Sequence, residues 1–110
     1  MYEYRATIDR WVDGDTVELT VDLGFRIYQQ TSVRLLGVDT PERGQAGYTP
    51  ACDYVRMIAP VGSAVVVRTR KDETEKYGRY LASIWIASGV SVANLLLEEG
   101  LGRPYDGGKR

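Results

Sequence analysis

The run TVELTVDL, Thr16 to Leu23, alternates strictly: Val17, Leu19 and Val21 fall on one face, Thr16, Glu18, Thr20 and Asp22 on the other. A period of two over this length is a strand with one face on a core. It follows Asp13-Gly14, a strong hairpin turn signal. Tyr4 to Val12, ahead of the turn, alternates loosely. The chain therefore begins as a β-hairpin. A third apolar run, about Arg26 to Val38, carries Val33, Leu35 and Leu36, and Pro41, Gly44 and Gly47 mark a loop behind it.

A helix is expected next. Thr49 suits the N-cap and Pro50 the first helical position. Ala51, Tyr54, Val55 and Ile58 recur at helical spacing, and Pro60 and Gly62 end the element. Ala64 to Thr69 reads as a strand, RKDETEKYGR as a charged loop, and Tyr80 to Ile86 as another strand. Ser91 caps a second helix, with Val92, Leu95 and Leu96 inward and a stop at Gly100. The tail, about 102–110, is Gly-rich and expected to be irregular. Five strands with a helix between the third and fourth is the order of an OB-fold barrel, an antiparallel Greek key. SH3-like barrels share much of that order. The expectation is a mainly β (α+β) domain over 1–110, a five-stranded OB-fold Greek-key barrel with two helices.

Composition narrows the chemistry. With 110 residues, 44% of them hydrophobic, the chain can build one core. A net charge of −1 argues against coating nucleic acid by bulk charge. Local recognition stays open, because eleven arginines outnumber three lysines and arginine grips phosphate bidentately. There is no histidine, which removes the usual general base and most zinc sites. The single cysteine, Cys52, allows no internal disulfide and reads as a small helix residue. Apolar runs fall far short of the roughly 18 residues that span a bilayer. No apolar signal region follows Met1, so a cytoplasmic monomer is expected, or a secreted one if a leader was removed.

Two acidic turns then stand out. DGDT (13–16) and RLLGVDTPE (34–42) each put an aspartate, Asp15 or Asp39, beside a threonine at a strand boundary. Each Asp alone could be turn chemistry. Brought together, two carboxylates with a backbone carbonyl form an oxygen-only site suited to Ca²⁺ or Mg²⁺. Arg34 interrupts the apolar SVRLLGV, where a charge must be paired or face outward. Glu42 follows Asp39 by three residues and could be an ordinary loop carboxylate. Arg79 enters a strand from the charged loop and could be a surface charge. Together, a divalent ion and two guanidinium forks are what a phosphodiester transition state calls for. A glutamate nearby could then orient or deprotonate water.

DGDTVEL, VRLLGVDTPE, EKYGRYLA and VANLLLEEGLG, in that order, resemble the staphylococcal nuclease (thermonuclease-like) family over roughly residues 4–105. The resemblance implies a Ca²⁺-dependent nuclease that hydrolyses single-stranded DNA and RNA to 3′-phosphates. By the same resemblance Asp15 and Asp39 are the calcium-ligating carboxylates and Thr40 supplies a backbone carbonyl. Arg34 and Arg79 are the phosphate-binding arginines and Glu42 the proposed general base. Lys76 and Tyr77 contact a terminal phosphate. Tyr105 either stacks on a base or packs on the barrel. The segment RGQAGYTPA departs from the lysine-rich loop of the founding member. The family also contains barrels that lost catalysis, so a silent nucleic-acid or protein binding module is the alternative.

Overall fold

The computed structural model describes residues 2–74 and 79–105. The elements are β1 (Tyr2–Asp13), β2 (Thr16–Asp22), β3 (Tyr28–Leu35), β4 (Gly37–Asp39), α1 (Tyr48–Ile58), β5 (Ala64–Thr74), β6 (Tyr80–Trp85), α2 (Val92–Glu98) and β7 (Arg103–Tyr105). Five of the strands close a barrel in the order β1-β2-β3-β6-β5. All pairings in it are antiparallel except β3 with β6, which run parallel. This is the five-stranded OB barrel with two helices that the sequence predicts.

Alternation fixes which residues fill the barrel. Ala6 and Ile8 of β1, Val17, Leu19 and Val21 of β2, and Val33 and Leu35 of β3 are buried. Val65, Val67, Ala82 and Ile84 complete the ring from β5 and β6. Val55 and Ala59 close one barrel end beside Trp11, whose indole N–H donates to the Ala59 carbonyl at 2.8 Å. On α2, Val92, Ala93 and Leu96 are buried while Leu95 is only half-buried. The Ser91 hydroxyl caps that helix by accepting from the Asn94 N–H at 3.1 Å. Among the described residues, no helix is long and apolar enough to cross a membrane.

Four local expectations change. The third apolar run is two strands, because Gly37 adopts φ +85° and turns the chain. α1 starts at Tyr48 with Gly47 as its N-cap, two residues before the expected cap at Thr49. Gly47 sits at φ +90°, a conformation costly for side-chain-bearing residues. The Tyr48 hydroxyl pins this first turn to the DGDT loop by donating to Asp13 Oδ1 at 2.9 Å. β5 runs on to Thr74, into the stretch expected to be a charged loop. Finally, the tail is not wholly irregular: β7 pairs antiparallel with β4, joining Gly37 to Tyr105, Val38 to Pro104 and Asp39 to Arg103.

Candidate active site

The site grows from the two acidic turns. The Asp15 carbonyl accepts from the Leu35 N–H at 2.9 Å, which ties the first turn to the end of β3. Asp15 is buried, and both its carboxylate oxygens are engaged. Oδ1 accepts from the Thr16 hydroxyl at 3.2 Å and Oδ2 from the Thr40 N–H at 3.0 Å. The bond to Thr40 carries the second turn onto the first across 25 residues of sequence. Close approach is possible because position 14 is glycine. A Cβ there would lie 2.9 Å from Thr40 Oγ1 and 3.0 Å from the Ala51 Cβ.

Arg34 is the centre. Its register partner on β2 is Thr16 and on β6 is Leu81. Only 9% of its surface is exposed. Nη1 donates to the carbonyls of Leu35 (3.0 Å) and Val38 (2.8 Å). Nη2 lies 3.1 Å from Asp39 Oδ1 and 3.5 Å from Asp15 Oδ2. The Tyr105 ring covers the guanidinium, with the charge 4.8 Å from the ring centroid. Such a charge is tolerable in a buried place because almost every donor direction is met. Arg79 reaches the same turn from the start of β6, donating to the Thr16 hydroxyl at 3.1 Å.

Asp39, Thr40 and Glu42 line an open cleft of about 640 Å³, with Gln45 and Arg103 among its other walls. Glu42 is exposed there, and its backbone N–H donates to the Gln45 side chain at 2.7 Å. The expected residues Asp15, Arg34, Asp39, Thr40, Arg79 and Tyr105 are thus joined by contacts, and Glu42 shares the cleft. Lys76 and Tyr77 lie outside the described residues.

For a cation, the donor set is all oxygen: two carboxylates within 3.5 Å of one guanidinium nitrogen, plus the carbonyl of Thr40. The buried Thr40 hydroxyl has no hydrogen-bond partner among the described residues. These donors suit a hard divalent ion and not a soft one. They are few, however: among the described residues no group of three or more His, Cys, Asp or Glu side chains gathers at one point.

A family model described as "Staphylococcal nuclease homologue" matches residues 32–109. The chain belongs to that family. Arg34, Asp39, Glu42 and Arg79 fall inside the matched span, and Asp15 precedes it. Among proteins similar to it, Endonuclease YhcR of Bacillus subtilis is 28% identical over 94% of this chain. Endonuclease YncB of the same organism is 33% identical over 90% of it, and Thermonuclease of Staphylococcus intermedius 33% over 87%. The chain spans only 9%, 47% and 56% of their respective lengths.

Sequence reasoning missed Arg103, which lies 3.9 Å from Asp39 Oδ2 and forms part of the cleft wall. It also missed Gly14 as a packing requirement. The signal for Gly14 was present in DGDT, where the glycine reads first as turn chemistry. None existed for Arg103, whose position depends on β7 finding β4.

Proposed function

We propose that this domain is a metal-dependent phosphodiesterase that cleaves single-stranded DNA and RNA, using Ca²⁺ and leaving 3′-phosphates. The observation that carries the reading is Arg34, buried between Asp15 and Asp39 with Arg79 on the adjoining threonine. Family membership and relatives named as endonucleases and a thermonuclease support it.

Each part of the site then has a role. Arg34 is held rigid by Leu35, Val38 and Tyr105, so its fork need not reorganise when charge develops on phosphoryl oxygens. Arg79 comes from a different strand and offers a second fork at an angle fixed by β6. Asp15, Asp39 and the Thr40 carbonyl would hold the cation, which supplies positive charge and acidifies water when bound. Glu42 is exposed at the cleft, where a carboxylate, ionised at neutral pH, can accept a proton from water. Cleft walls of Gln45 and Arg103 position the strand.

Single-turnover cleavage of a fluorescent single-stranded oligonucleotide tests the proposal. Products are expected in millimolar calcium and none in EGTA. Arg79→Ala should slow cleavage by about 10²–10³, and Glu42→Gln by about 10²–10⁴. Intact substrate after prolonged incubation with calcium overturns the proposal and leaves a silent binding module in its place.

A further inference from the structure

Ala6 and Ile8 face the core from β1, so a strict period of two sends Arg10 inward as well. Arg10 is exposed instead. Ile8 pairs with Leu19 of β2 and Arg10 with Glu18, so β1 carries one extra residue between them. This irregularity shifts the phase of the strand. Trp11 takes the core position, 2% exposed, and Arg10 turns out to the surface. Bulges re-aim side chains in this way, often beside functional sites.

Arg10 thereby joins a basic cleft of about 440 Å³, lined by Arg10, Trp11, Val12, Arg43, Arg56 and Val61. Its three arginines come from β1, from the loop ahead of α1 and from the last turn of α1. All three are exposed, and among the described residues no carboxylate lines the cleft. Arg10 Nη2 pairs with Glu18 Oε2 at 3.0 Å, which leaves its other donors open. Arg56 Nη1 lies 3.9 Å from Asp53 Oδ1, beyond hydrogen-bond reach, and Nη2 points at the Trp11 carbonyl at 3.5 Å. Arg43 has no carboxylate partner among the described residues, and its guanidinium lies over the Tyr48 ring, 5.8 Å from the centroid. An arginine in a last helical turn has an ordinary role at the negative end of the helix. That role does not account for Arg10 and Arg43 gathering round Arg56 in a chain of net charge −1.

The walls select the ligand. Trp11 is packed in the core with its N–H held by Ala59, so its ring offers no face on which a base can stack. Guanidinium forks match phosphate oxygens, and contacts of that kind hold a backbone without reading sequence. The cleft also adjoins the candidate active site on the outer surface. Glu42 and Gln45 line the one, and Arg43 between them lines the other. Their turn is closed by the Gln45 N–H donating to the Glu42 carbonyl at 2.9 Å, so the two clefts share it as a wall. Tyr48, beneath Arg43, donates to Asp13 of the DGDT turn at 2.9 Å. An OB barrel engages about 4–16 nucleotides of single strand, more than the single phosphodiester that Arg34 and Arg79 would hold.

We infer that Arg10, Arg43 and Arg56 form a second phosphate site, which grips the backbone of a single strand beyond the turn that carries Glu42. The inference rests on the phosphodiesterase reading for its substrate. Fluorescence anisotropy in EGTA, where no cutting is expected, reads the grip apart from the reaction. The ligand is a labelled oligothymidylate of about twelve nucleotides. Each phosphate contact on a single strand contributes about 0.7 to the slope of log K against log salt, so Arg10→Gln/Arg43→Gln/Arg56→Gln should lower that slope by about 2. Affinity should then fall about a hundredfold near 0.1 M salt. Lysine at the same three positions should restore most of the slope, because a point charge also serves a phosphate.

In millimolar calcium the glutamine variant should show a raised KM on the long strand with kcat unchanged, and should cut a dinucleotide as the wild type does. An unchanged salt slope, or an equal loss on the dinucleotide and the long strand, overturns the inference. If the triple variant does not fold, Arg43→Gln, which breaks no ion pair among the described residues, should lower the slope by about 0.7. An unchanged slope there overturns the inference too. A wild type that binds the long strand with the full slope difference yet cuts nothing in calcium supports the second site and overturns the phosphodiesterase reading alone. Oligoglutamate of equal charge binding the wild type as tightly as the strand, and the variant weakly, overturns the inference in favour of an acidic peptide.

Discussion

Arg34 concentrates most of the site's electrostatics in one side chain. Its guanidinium satisfies two backbone carbonyls and separates two carboxylates. Removing it leaves Asp15 and Asp39 facing each other without a cation, so Arg34→Ala should lose about 3–5 kcal/mol of stability by urea denaturation. Cleavage should fall by about 10²–10³ as well. Arg34→Lys keeps the charge but cannot reach Leu35, Val38 and Asp39 together, and should recover part of the stability with little of the turnover. This residue was legible in the sequence, because a charge within SVRLLGV needs an explanation. Which partners it takes was not, since Val38 and Asp39 face it only after Gly37 turns the chain.

Elements set the angles between these groups. α1 is anchored to the DGDT turn by the bond from Tyr48 to Asp13. That bond, with a further one to Cys52, holds the Tyr48 hydroxyl above its ordinary pKa of 10.0. A raised folded-state value means the contact contributes fully below pH 10.0 and is lost as pH rises through the raised value. Thermal melts at increasing alkaline pH should therefore show a loss of stability that Tyr48→Phe diminishes. At α2 the cap on Ser91 was legible, because serine precedes an apolar helical run. Ser91→Ala should cost about 1 kcal/mol in the same denaturation assay. The cap of α1 was not legible. Thr49-Pro50 carries the usual signature, but the left-handed Gly47 and the pull of Tyr48 onto Asp13 move the start upstream. β7 was hidden for a different reason: a three-residue strand has no period to read, and its partner lies more than sixty residues earlier.

At the scale of the molecule, closure of β1 on β5 fixes everything else. It locks the register that turns Val17, Leu19 and Val33 inward and holds Thr16 opposite Arg34. Strand order and core were legible because the β half alternates with a period of two. That the two acidic turns could meet was legible because each ends a strand of one barrel; the bond from the Thr40 N–H to Asp15 was not, since no local pattern encodes it. A cation that binds the folded site alone should stabilise the whole domain, by about 2.7 kcal/mol at a hundredfold excess over Kd. Calcium is thus expected to raise Tm in the wild type and to leave Asp15→Asn unchanged in differential scanning calorimetry. The wall over Arg34 has one more consequence. Tyr105 and Arg103 are made after the whole barrel, so a nascent chain halted behind α2 holds the acidic pair and the arginine without their roof. The cover over this acidic pair is therefore the last part of the site to be laid down.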